Sequence, residues 1–236
     1  MAVPRVKFLF ISFFFFLLSL AYWDGVVPPD SQPTPSVLRL NADLQWEVAV
    51  EPLHRDVDNI TTPNHHGVGP GLPFATALVS DLGLVTVGLV PAAYSGSTIG
   101  QWQRGQWLYS RLLERAAAAT AFGSPITALL WFQGESDTVK NQKAKFGAQT
   151  LDFFNNLRAD LCIPDLPIIQ VAITSPIPGM SNASDVDIVR KIQFGLQLPN
   201  LKTVDSMGLA IGPDDVHLTT AAQVLLGRML KEAYLL

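Results

Sequence analysis

Ile126-Thr127-Ala128-Leu129-Leu130-Trp131-Phe132-Gln133-Gly134-Glu135-Ser136-Asp137 decides the fold. Its first half is an apolar run relieved only by Thr127, too short for a helix that must bury a face and too continuous for a strand with one wet side. Such a run is a strand covered on both faces, the pattern of a parallel sheet. It stops abruptly at Gln133-Gly134, and the spacing of Phe146, Thr150, Phe154, Leu157 and Leu161 then predicts a helix over Lys140–Leu161. Outward from this unit the alternation repeats. Strands are expected at Leu84–Val90, Leu166–Ile173 and Leu201–Val204, with smaller ones at Val37–Leu40 and Trp46–Val50. Helices are expected at Pro73–Asp81, Trp107–Ala121, Asp185–Leu196 and Thr220–Tyr234, the last N-capped by Thr219. Strands alternating with helices specify a single three-layer α/β/α domain with a mostly parallel sheet.

Composition narrows the function classes. Sixteen Lys and Arg stand against twenty Asp and Glu, for a net charge of −4 in 236 residues, and no basic cluster follows residue 7. Nucleic acid is therefore not an expected partner. One cysteine, Cys162, excludes an internal disulfide framework and a multi-cysteine zinc site, and its neighbours Leu161 and Ile163 predict a buried thiol. At the start, Arg5 and Lys7 precede an apolar run, Phe8 to Ala21, which reads as a secretory signal peptide over 1–21 and a secreted chain. The alternative is an uncleaved N-terminal anchor, the one route by which a membrane would become a partner. The sequons at Asn59 and Asn182 agree with a secretory route.

In an open parallel sheet, ligands sit beyond the carboxyl ends of the strands, so the candidate chemistry lies in the loop after each strand. After Leu84–Val90 comes the small-residue loop Pro91 to Thr98, whose backbone N–H groups can approach an oxyanion. After Ile126–Phe132, Gln133 offers an amide donor, Gly134 a sharp turn and Glu135 an anchor for the loop, while Ser136 or Asp137 fits a helix cap. After Leu201–Val204, Asp214 stands three residues before His217 on a turn entering the last helix. That offset brings a carboxylate to the imidazole Nδ1 and leaves Nε2 for general-base work, whereas Asp215 is expected to face solvent. Two further groups are weaker. Tyr94, Trp102, Trp107 and Trp131 lie near strand ends, where they could stack on a sugar, although core packing is the commoner fate of tryptophan. His54, Asp56, Asp58, His65 and His66 are metal-capable residue types without helical spacing, which a solvated loop explains better.

The order of these motifs resembles the sialate O-acetylesterase-like branch of the SGNH/GDSL hydrolases, and within it the plant carbohydrate esterases. The likeness is carried by Trp23 to Pro29, Leu40 to Trp46, Gly67 to Gly71, Ala128 to Asp137 and Asp214 to Thr219. It implies a flavodoxin-like sheet over 22–236 and hydrolysis of acetyl esters on carbohydrate without metal or organic cofactor. It also implies roles: Gly96 and Gln133 as oxyanion donors, His217 as general base and Asp214 as its orienting partner. Members of the branch open with a strand running into a Gly-Gln-Ser-Asn-Met type of turn that carries the nucleophile. No such turn occurs here. The resemblance therefore implies a domain lacking its first strand and nucleophile turn, impaired as an esterase, with a non-catalytic sugar-binding remnant as the alternative. Lys7 to Ser12 could fill the vacant slot with Ser12 near its end. Phe13 to Phe16 come next, where a tight Gly/Asn turn is needed, which argues against Ser12 as nucleophile. Ser95, Ser97 and Ser136 occupy other loops.

Overall fold

At the centre of the sheet three parallel strands lie side by side: β4 (Val87–Pro91), β1 (Lys7–Phe13) and β5 (Ile126–Phe132). The computed structural model describes residues 26–57, 67–83, 86–121, 125–139 and 142–236, together with the backbone of 7–13. Around the centre, β2 (Val37–Leu40) and β3 (Trp46–Val48) extend one side, and β6 (Ile168–Ala172) and β7 (Leu201–Asp205) the other. The order is β3-β2-β4-β1-β5-β6-β7, parallel except for the β2–β3 pair. The strands and their order agree with the three-layer expectation. β4, β5 and β6 are buried at nearly every position, as continuous apolar runs require.

The expected loss of the first strand is corrected here, by the stretch that the sequence offered for its slot. Lys7–Phe13 lies there and pairs Leu9 with Leu89 on one side and Ser12 with Trp131 on the other. The physical reason is the one that makes an open slot costly: β4 and β5 would otherwise each present unpaired N–H and C=O groups inside the molecule. A first strand therefore lies within the stretch that also reads as a leader. Residues 14–25, with Trp23-Asp24-Gly25, lie outside the described residues, as do 58–66 with the Asn59 sequon.

Among the described residues five helices cover the sheet: α1 (Gly71–Leu82), α2 (Trp107–Thr120), α3 (Lys143–Asp160), α4 (Ala183–Gly195) and α5 (Thr220–Leu235). α1 packs on α5 over one face. α3 packs on α4 over the other and meets α2 through Tyr109 and Phe153, whose rings lie 6.1 Å apart. The periodic residues Phe146, Thr150, Phe154 and Leu157 form the buried stripe of α3 as their spacing predicts. Thr219 caps α5 by accepting from the Ala222 N–H, and Asn182 of the second sequon caps α4 through its side chain. Cys162 contradicts the buried-thiol expectation. It stands exposed at φ +56 in the turn after α3, while its neighbours Leu161 and Ile163 take the inward places. Among the described residues no helix is long and apolar enough to cross a membrane.

Candidate active site

Because the central strands run parallel, the loops after β4, β5, β6 and β7 gather at one edge, and the candidate residues arrive there by topology alone. The loop after β7 carries His217. A short antiparallel clip shapes it: Gly212 N–H donates to the His217 carbonyl at 2.6 Å, and Thr219 N–H to that of Ala210 at 2.9 Å. The turn inside the clip places Asp215 at φ +59, exposed as expected. Asp214 turns inward. Its Oδ1 accepts from the backbone N–H of Val216 (3.0 Å) and His217 (2.9 Å), and its Oδ2 lies 2.7 Å from His217 Nδ1. Burial opposes ionisation of Asp214, but these bonds prevail and hold the carboxyl below its usual range. The ring is therefore oriented by a carboxylate with Nδ1 as the donor, which leaves Nε2 as the basic nitrogen. Ser175, after β6, buttresses the loop by donating its hydroxyl to the Val216 carbonyl at 2.6 Å.

The loop after β5 is fixed more tightly. Gly134 adopts φ +148, and a Cβ there would stand 3.1 Å from Ile173 and 3.2 Å from Val189, so this turn needs glycine. Gln193 of α4, fully buried, donates its amide to the carbonyls of Gln133 and Val171 and accepts from Ile173 N–H, stitching the ends of β5 and β6 together. Gln133 is buried too. Its amide nitrogen donates to Asp137 Oδ2 at 2.5 Å and to the Ser97 carbonyl at 3.2 Å. Both amide hydrogens are thus engaged, and the longer bond, to Ser97, is the one an oxyanion would have to replace.

Asp137 has a role that its position in sequence conceals. The capping expectation for it does not hold, since α3 begins after Gln142 and Asp137 points away. Its carboxylate instead accepts from Ile99 N–H at 3.0 Å, capping the 3-10 turn Ile99–Trp102 and tying the loop after β5 to the loop after β4. Burial raises Asp137 to about 6 against the hydrogen bonds from Gln133 and Ile99, and burial with the neighbouring Asp137 charge raises Glu135 to about 7. Only a contact between residues 38 apart in sequence reveals the role.

In the loop after β4, Gly96 takes φ +75, a conformation that suits glycine and turns the backbone at the sheet edge. Ser97 is structural: its hydroxyl donates to the Tyr94 carbonyl and accepts from Trp102 Nε1, and it is buried with Ser95. Ser136 is buried as well. Ser12 occupies the last position but one of β1, opposite Trp131, inside the strand and not in a turn beyond it. Of the weaker groups, Trp102 and Trp131 are core residues whose rings meet at 5.6 Å, while Trp107 is exposed. Asp56 is engaged by Arg39 and His54 is buried. Asp58, His65 and His66 lie outside the described residues, and among those described no group of three potential ligands gathers.

The loops of Gly96 and Gln133 follow the two strands that flank β1, and the Asp214–His217 pair follows β7. The family model of the sialic acid-specific acetylesterase domain of carbohydrate esterases matches residues 17–236. The chain belongs to this carbohydrate esterase family. It is 45% identical over 216 residues to a probable carbohydrate esterase of Arabidopsis thaliana, covering 90% of this chain and 80% of that protein. A solved structure of an Arabidopsis thaliana protein superposes with a TM-score of 0.86 at 40% identity, over 99% of this chain and 98% of its own. NanS (TM-score 0.75, 16% identity, 99% and 98% covered) and a carbohydrate acetylesterase from Xanthomonas citri (0.67, 17%, 95% and 55%) share the fold. An SGNH-type α/β architecture and a family of acetylesterase type are thereby established for the esterase domain.

Proposed function

We propose that the sheet edge takes an acetylated carbohydrate, and that His217 and Asp214 are the general-base half of an acetyl-ester hydrolase whose nucleophilic half is impaired. The observation that carries this reading is the 2.7 Å bond from His217 Nδ1 to an inward-turned Asp214 held by two backbone N–H groups. A structural histidine needs no such oriented carboxylate, whereas a base that must accept a proton at Nε2 does. Gly96 N–H and the Gln133 amide supply the oxyanion donors. No metal or organic cofactor is called for by this chemistry.

The impaired half is argued from β1. A serine nucleophile must leave the sheet on a turn that frees its Oγ and its own N–H, and Ser12 is a strand residue followed by Phe13 within the same strand. With a true triad, losing the serine lowers kcat on the order of 10⁶-fold. The test is hydrolysis of p-nitrophenyl acetate and of acetylated sugars by the purified chain, beside His217→Ala and Ser12→Ala. A folded chain with turnover at background supports the reading. Turnover that is blocked by a serine-directed inhibitor and abolished in His217→Ala overturns it, and loss in Ser12→Ala as well would name the nucleophile. The second reading, sugar binding without hydrolysis, is favoured by the same strand and by the edge-to-face pair of Tyr94, in the loop after β4, and the exposed Trp107. Secretion is part of the proposal and rests on Arg5, Lys7 and the apolar run to Ala21. It competes with β1 for the same residues.

A further inference from the structure

Of the tryptophans expected near strand ends, Trp102 and Trp131 are 1% exposed and Trp107 is 62% exposed. Trp107 is the first residue of α2, on the chain that has just crossed the active edge from β4. Its indole meets the half-buried Tyr94 edge-to-face at 5.4 Å between ring centroids. Tyr94 in turn sits two residues before Gly96, and its carbonyl receives the Ser97 hydroxyl, so the aromatic pair is joined to the loop carrying the proposed oxyanion donor. The indole is also held from the side. The Arg111 guanidinium lies 5.5 Å from its centroid and donates to the Val57 carbonyl, which anchors the cation on the neighbouring loop. A large apolar side chain kept in water is costly by its own burial potential. Here two neighbours fix its orientation without covering it, which is how a stacking platform is built and not how a core residue is left over.

We propose that Trp107, braced by Tyr94 and Arg111, is a stacking subsite for a sugar ring of the acetylated oligosaccharide, beside the site where the ester is held. The inference rests on the proposed function and deepens it: the ligand is a glycan of more than one ring, and the indole takes a ring other than the one carrying the ester. A pyranose offers an apolar face of C–H groups to the electron-rich face of the indole, while its rim hydroxyls stay in water or reach Arg111.

The experiment measures dissociation constants by calorimetry and tryptophan fluorescence for four probes: acetylated xylo-oligosaccharides, acetylated manno-oligosaccharides, acetylated pectin fragments and O-acetylated sialic acid. The expected result is saturable binding of at least one oligosaccharide by the parent chain. Trp107→Ala should weaken it about tenfold, a loss equivalent to about 1.4 kcal/mol, Trp107→Phe should recover part of it, and the exposed-site control Asp215→Asn should bind like the parent. Binding of none of the four probes by the folded parent chain, or binding by Trp107→Ala within twofold of the parent, overturns the subsite. Turnover of p-nitrophenyl acetate by the parent chain, which needs no sugar contact, is measured separately. Failure of the hydrolase reading therefore shows in that assay, and failure of the subsite in the binding assay.

Discussion

β1 and β5 are adjacent central strands of equal length, parallel, in register at Ser12–Trp131 and Phe13–Phe132. Beyond that register they diverge. β5 is followed by Gln133-Gly134, where a glycine at φ +148 swings the chain sharply and turns its polar side chains into a network of buried hydrogen bonds. β1 is followed in sequence by Phe14-Phe15-Phe16, with no residue suited to a tight turn. The comparison teaches that an apolar strand is enough to complete a sheet, but the turn after it decides whether it delivers chemistry. It also explains how one stretch can read as a leader and fold as a strand, since both require only an unbroken apolar run.

The largest expected effect tests whether β1 is integral to the sheet. Ile11 is matched on both sides, to Pro91 and Leu130, and Ile11→Pro removes a backbone N–H inside the sheet and should leave no cooperative unfolding transition, as should Leu130→Pro in β5. An Ile11→Pro chain that melts like the parent would break the comparison at its root. Next is the turn of β5. Gly134→Ala forces a Cβ against Ile173 and Val189 and should lower stability by about 1–3 kcal/mol, read as a shift of the urea midpoint.

A smaller effect concerns pH. Burial raises Asp137 to about 6, Glu135 to about 7 and Glu51 to about 8, from ordinary values near 4. The folded state therefore holds more protons than the unfolded chain between those limits, and stability falls as pH rises from about 4.5 to about 8. Asp214, with its carboxyl held low, acts in the opposite direction. It contributes stability above its unfolded value and loses it as pH falls through the folded one, which brings a decline on the acid side. Melting temperatures across pH should show both limbs, and Asp137→Asn should flatten the lower part of the neutral-side decline. The smallest effect is Asp215→Asn, an exposed position whose stability should stay within about 0.5 kcal/mol of the parent in the same urea titration.

Most of the fold was legible because local pattern and global burial agree. The run Ile126–Phe132, the stripe of α3 and the Thr219 cap needed nothing from distant parts of the chain. The His217–Asp214 contact was legible for the same reason, being set by a three-residue offset within one turn. Asp137 was not, since its partner Ile99 comes from another loop, and neither was the inward place of Gln193, which a helical position leaves undetermined. The exposures of Trp102, Trp107 and Trp131 were equally hidden, because tryptophan is compatible with core and surface alike. The strand at Lys7–Phe13 could be foreseen as a possibility. The cost of an empty slot to its neighbours was legible as well; what sequence did not decide was whether Lys7–Phe13 would serve as that strand, which rests on its pairing with β4 and β5.

Under the proposed function His217 and Asp214 are the base half of an acetyl-ester site, and the sequence after Phe13 carries no Gly-Gln-Ser-Asn-Met type of motif. The direct test replaces Phe14–Leu18, the residues immediately after β1, with Gly-Gln-Ser-Asn-Met and measures hydrolysis of p-nitrophenyl acetate beside the parent chain. The account predicts background turnover from the parent and a gain from the folded replacement that disappears when His217→Ala is added. A folded replacement without gain, or a parent chain already showing turnover that depends on His217, would contradict it.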